Sequence, residues 1–268
     1  PTAARHPWTG ALVFSAADQH ARYFSDQDLF KTTDGGKSWT RISEDMTREN
    51  PGVPPNLDAA TAADVPAQSK RLGVIYTIAP SPLKAPLLWI GTDDGYVHVT
   101  QDDGKTWANV TPPGVGAWSK VTMLEASHFD ANEAYAAVDR HRLEDYDPYV
   151  YRTRDAGKTW QAITKGLPAG VYVQTVKEDP LRRGLLFCGT ERNVFVSFDD
   201  GDNWQSLQMN LPASSMRDLQ IKDDDLVVAT HGRGFWVLDN ITALRQLDQT
   251  SASADAIQNI GSAQNGGP

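Results

Sequence analysis

The residues best suited to chemistry are four aspartates that recur in one setting. Asp34, Asp102, Asp155 and Asp199 each lie two residues after a Ser or Thr, two before a Gly and five before a Trp. Such carboxylates could hold calcium or move protons. The twelve-residue calcium loop with its closing Glu is missing around Asp199, Asp200 and Asp202. Fourfold recurrence is also what a folding device needs, and a single catalytic centre would not need it. We read the aspartates as turn caps and Trp39, Trp107, Trp160 and Trp204 as their packing partners. Gly36-Lys37-Ser38, Gly104-Lys105-Thr106 and Gly157-Lys158-Thr159 mimic the end of a phosphate-binding loop. The Gly required five positions earlier is replaced by Lys31, Val99 and Arg152, which argues against nucleotide binding. Cys188 reads as a core thiol, and Ser127, His128 and Asp130 as turn residues rather than a triad. The six histidines lack metal-ligand spacing, so neither a metal site nor a cofactor is expected.

The elements that carry these residues follow from the repeat. The segments Thr32–Trp39, Thr100–Trp107, Thr153–Trp160 and Ser197–Trp204, called boxes below, each join two short β-rich runs. Upstream of each box lies a pair of apolar runs separated by a polar turn. A fifth unit, from Asp218 to Leu238, has the apolar runs and no box. The box tryptophans are 68, 53 and 44 residues apart. Up to four antiparallel strands, A to D, at that period specify a propeller blade. The fold class expected is therefore all-β, a β-propeller of about five four-stranded blades with box turns, complete or part of a larger ring. The propeller is assigned to residues 1–247, with a long proline-punctuated loop over 43–69 and a polar tail or linker over 248–268.

Composition narrows the partners. The chain has 268 residues, a net charge of −9, 40% hydrophobic residues and one cysteine. The acid excess argues against a nucleic-acid partner, no apolar run is long enough for a membrane span, and a lone cysteine excludes a disulfide framework.

The boxes resemble the Asp-box, or BNR, repeat of sialidases, xyloglucanase-type glycosidases, the sortilin-type receptor propeller and photosystem II assembly-factor propellers. The resemblance covers about residues 8–247. Gly91-Thr-Asp-Asp-Gly95, Ser127-His-Phe-Asp130 and Ala229–Asp239 are similar to the C-terminal part of large bacterial BNR-repeat proteins labelled glycosyl hydrolase or sortilin-like. Sialidases carry an Arg-Ile-Pro motif that is missing here, so that activity is not expected. The xyloglucanase-type enzymes imply a cleft shared by two propellers, and hence a second propeller in a parent chain.

The turns between strands B and C should lie on the face opposite the boxes. They carry charge in every blade: Asp26 and Asp28; Asp93 and Asp94; Arg140, His141 and Arg142; Glu191 and Arg192; His231 and Arg233. Trp118 reaches the same face from a Gly/Pro-rich connection and is expected to be exposed. We take Asp94, Trp118, Arg140, His141, Arg142, Arg192, His231 and Arg233 as candidate ligand-binding residues for a glycan, peptide or protein. Asp93 and Glu191 are the candidates for general acid–base roles. The leading expectation is a non-catalytic recognition or scaffold propeller, secreted or in the periplasm or cell envelope. Half of a glycoside-hydrolase cleft and an assembly factor docking a protein are the alternatives.

Overall fold

A computed structural model describes residues 4–5, 10–53, 72–207 and 209–247. Residues 54–69 of the expected long loop, and the expected tail, lie outside the described residues.

Nineteen strands form five antiparallel sheets in chain order, with no strand exchanged between them. Blade 1 consists of β1 (Leu12–Phe14), β2 (Arg22–Ser25), β3 (Leu29–Thr32) and β4 (Thr40–Arg41). Blade 2 is β5 (Ile75–Pro80), β6 (Leu88–Thr92), β7 (Val97–Thr100) and β8 (Ala108–Asn109). Blade 3 is β9 (Lys120–Ala126), β10 (Ala134–Asp139), β11 (Tyr149–Thr153) and β12 (Gln161–Ala162). Blade 4 is β13 (Val173–Glu178), β14 (Leu186–Thr190), β15 (Val194–Ser197) and β16 (Gln205–Ser206). Blade 5 has three strands, β17 (Met216–Lys222), β18 (Asp225–Thr230) and β19 (Phe235–Leu238), followed by the short helix α1 (Thr242–Gln246). The expected fourth strand of this blade is not among the described residues. Without a box there is no hairpin to return the chain, and Ile241 and Leu244 instead pack into the core shared with blade 4.

The boxes form the C–D hairpins because their hydrogen bonds close within eight residues. In blade 2, Thr100 Oγ1 donates to Asp102 Oδ1 (2.8 Å) and accepts from the Gly104 N–H (3.0 Å). Asp102 in turn accepts from the Thr106 N–H (2.9 Å) and hydroxyl (2.6 Å). Blades 1, 3 and 4 repeat the pattern around Asp34, Asp155 and Asp199. The hydroxyl and backbone donors hold Asp34, Asp102 and Asp155 below the usual carboxylate range, Asp102 at about 2. The turn glycine takes a left-handed backbone, as at Gly104 (φ 84°).

Each blade packs one face on its neighbour. Tyr23, Leu29 and Ala21 of blade 1 meet Ile78, Leu88 and Ile90 of blade 2, and equivalent cores join blades 2–3, 3–4 and 4–5. Cys188 lies in the third of these cores, and burial pushes its thiol up. The first strands of all five blades line one central channel of about 810 Å³. Radial antiparallel blades of three or four strands about a channel define a β-propeller.

Candidate functional site

A repeated irregularity in strand A shapes the channel mouth on the face of the B–C turns. In blades 2 to 5 the A–B register slips by one residue near the start of strand A. The residues skipped are Tyr76, Thr122, Gln174 and Arg217. A bulge releases its residue from the ladder and re-aims the side chain. The strand-B residue beside each slip is small: Gly91, Ala137, Gly189 or Ala229. Space explains the choice. A Cβ on Gly91 would come within 2.5 Å of Val121, and one on Gly189 within 2.7 Å of Thr175.

Two bulge residues enter a polar network that crosses blades 3, 4 and 5. Asp139, buried at the end of strand B, accepts from His141 Nδ1 (2.6 Å) and from Gln174 Nε2 (3.1 Å). Arg217 donates to Gln174 Oε1 (3.4 Å) and lies 3.4 Å from His231 Nδ1. The His141 ring stacks on Tyr172 at 4.9 Å, and Tyr146 sits 6.3 Å from the same ring. Burial, and then the neighbouring Glu191, raise the Tyr172 hydroxyl above its ordinary value. Arg192, Arg217, His231 and Arg233 are exposed. The surface therefore presents cations and aromatic edges, with Asp139 buried beneath.

The candidates taken from the sequence divide into two groups. His141 and His231 join the network directly. Arg140 pairs with Asp145 (3.3 Å) and lies over the Tyr149 ring, and Arg142 contributes positive charge to Asp93. Asp94 and Trp118 are structural instead. Asp94 is fully buried, accepting from Thr92 Oγ1 (2.6 Å) and the Arg48 N–H (2.7 Å). Trp118 corrects the expectation of an exposed ring. It is 4% exposed, and its indole donates to the Gly52 carbonyl (3.1 Å), so it anchors the loop after blade 1. Asp93 accepts from the Val74 N–H (2.7 Å), and burial pushes its carboxyl up to about 6. Tyr172, Gln174 and Arg217 were not legible as site residues. The recurrent small residue in strand B was the available signal, since it marks where strand A must bulge.

The opposite channel mouth holds a second buried cluster. Glu125 pairs with Lys177 (2.8 Å) and His128 (3.5 Å), while Glu178 accepts from the His128 N–H (2.7 Å). Burial, reinforced by Glu133, pushes the Glu178 carboxyl up to about 7 against the opposing pull of that N–H. A raised carboxyl value means the folded state binds the proton more tightly than the unfolded chain. The stability it contributes is full below about pH 4.3 and is lost as pH rises through 7. Glu178→Gln should therefore match the parent at pH 4 and exceed it at pH 8 by about 3–4 kcal/mol. Urea midpoints at the two pH values measure this, and an equal offset at both would show that titration is not the cause.

Comparison with known proteins agrees with the architecture. No family model matches the chain. The vacuolar protein sorting/targeting protein 10 of Laccaria bicolor is 33% identical over 105 residues, covering 37% of this chain and 6% of that protein. Its counterpart of the same name in Eremothecium gossypii is 26% identical over 196 residues, covering 69% and 12%. The chain thus spans 12% or less of the length of these curated relatives. Among solved structures, the β-propeller domain of Cps50 (Swd1) from Myceliophteria thermophila superposes with a TM-score of 0.61 at 12% identity, covering 94% of this chain and 72% of that one. The GH74 xyloglucanase of Xanthomonas campestris gives 0.59 at 15% identity, covering 85% and 36%. At such identities the likeness is one of fold. No helix among the described residues is long and apolar enough to cross a membrane.

Proposed function

We propose that this chain is a recognition or scaffold propeller, and that it binds a peptide or glycan on the B–C face across blades 3 to 5. The observation that carries this reading is the network Tyr172–His141–Asp139–Gln174–Arg217–His231. Three blades contribute to one polar surface whose acid is satisfied internally, leaving cations and aromatic faces for a ligand. The relatives named for sorting and targeting favour a peptide or protein ligand and a secreted or envelope location. The xyloglucanase likeness keeps a glycan in view. Against a hydrolytic role, Asp93 and Glu191 belong to blades 2 and 4 with all of blade 3 between them, whereas paired-carboxylate chemistry needs two groups at one cleft.

Peptide-library and glycan-array profiles of the parent should be compared with those of Arg217→Ala/His231→Ala and of Arg140→Ala/Arg142→Ala/Arg233→Ala. The first variant should lose about tenfold or more in affinity for whatever ligand the parent selects, with its melting temperature kept. Unchanged profiles in both variants would remove this face as the binding surface.

A further inference from the structure

Three of the four boxes are fastened to the preceding blade in the same way. The Trp107 indole N–H donates to the Ile42 carbonyl (3.0 Å), Trp160 to Val110 (2.6 Å) and Trp204 to Ile163 (2.7 Å). Each acceptor is the third residue after the preceding blade's own tryptophan. The box glycine rests on that same residue. A Cβ at Gly104, Gly157 or Gly201 would come within 2.5, 2.6 or 2.5 Å of Ile42, Val110 or Ile163.

The box of blade 1 has every part of this device and nothing to hold. Trp39 is 40% exposed, and its indole N–H has no hydrogen-bond partner among the described residues. A Cβ at Gly36 would meet only the Trp39 ring, at 3.9 Å. The surrounding face is apolar as well. Leu12 and Phe14 are 56% and 62% exposed, and Phe24 stands edge-on to Trp39 at 6.1 Å. In the other blades the strand-B position of Phe24 is filled by Ile90, Ala136 and Cys188, all fully buried against the preceding blade. A contiguous exposed apolar patch with an unused donor marks an interaction surface.

What must cover it is set by the three occupied examples. The partner brings a main-chain carbonyl beside an aliphatic side chain, three residues past a box tryptophan of its own. The acceptors of blades 1 to 3 are already engaged, and Leu207, the corresponding residue of blade 4, is buried in the core shared with blade 5. Blade 5 has no box. The Leu207 side chain is taken, so among its described residues a second copy of this chain offers no aliphatic side chain of this kind free to enter the Gly36 site. We propose that the outer face of blade 1 docks a box-type propeller blade other than these five. In that contact Trp39 donates to its carbonyl, Gly36 receives its aliphatic side chain, and Leu12, Phe14, Phe24 and Phe30 are covered. This proposal is independent of the ligand reading on the B–C face.

The test supplies such a blade. A duplicate of residues 120–167, which carries the Ile163 acceptor, is fused ahead of blade 1 through a short Gly/Ser linker. Trp39 emission is read as the difference between this fusion and the same fusion with Trp39→Phe. Docking predicts a blue-shifted, quencher-protected Trp39 and a melting temperature roughly 5 °C above that of the Trp39→Phe fusion. Equal melting and a solvent-exposed Trp39 in the fusion would overturn the proposal. So would a concentration-dependent dimer of the unfused chain that Trp39→Ala dissolves, because the occupant would then be a second copy. In the unfused chain Trp39→Ala should leave the melting temperature unchanged. A marked loss there would show that Trp39 is already docked, and would also overturn the assignment.

Discussion

Trp204→Ala is expected to destabilise the fold by about 3–5 kcal/mol, while Trp39→Ala changes it by less than about 1 kcal/mol. The two residues occupy the same place in their boxes, so propensity and local turn chemistry cancel in the comparison. What differs is the neighbour. Trp204 is buried in the core between blades 3 and 4, and its loss leaves a cavity and an unpaired Ile163 carbonyl. Trp39 is exposed and has lost nothing it was holding. Urea midpoints at constant m-value separate the two. Equal losses would mean that the tryptophan acts mainly within its own hairpin.

Arg152→Met is the second substitution with a large expected effect, also about 3–5 kcal/mol. The guanidinium is 2% exposed and reaches Asp200 (3.1 Å), Asp202 (3.0 Å) and Gln161 (2.8 Å). Asp200 also receives Tyr135 and Arg154, so the cluster ties blade 3 to the box turn of blade 4. Methionine fills much of the volume yet leaves the acids without their buried counter-charge. Asp200→Asn in the Arg152→Met background should recover part of the loss, and a double-mutant cycle reads the coupling. Purely additive losses would show that packing, and not charge, sets the cost. Lys31 and Asp103 make the corresponding pair between blades 1 and 2 (2.8 Å), but at a more exposed position, so Lys31→Met should cost less.

The contrast between what the sequence revealed and what it did not follows the range of the interactions. The boxes were legible because Thr100, Asp102, Gly104 and Thr106 bond to one another within a single turn. Strand order followed from period alone. Contacts between blades were not legible in the same way: the Trp107 acceptor lies 65 residues away, and the Trp118 acceptor 66. Trp118 was misjudged for that reason, since a Gly/Pro-rich connection gives no sign of a distant carbonyl beneath it. At the site, charge in the B–C turns located His141 and His231. Tyr172 and Arg217 belong to strand A or its approach, and became visible only through the His141 stacking and the register slip, respectively.

That slip has a consequence for how the surface could change over time. Gly91, Ala137, Gly189 and Ala229 keep the frame uniform, while the bulged positions hold tyrosine, threonine, glutamine and arginine. Residues outside the ladder carry little of the pairing energy. The four positions therefore behave as interchangeable letters in a fixed typeface. A lineage can rewrite what the mouth of the ring reads, one letter per blade, while the scaffold that prints it stays the same.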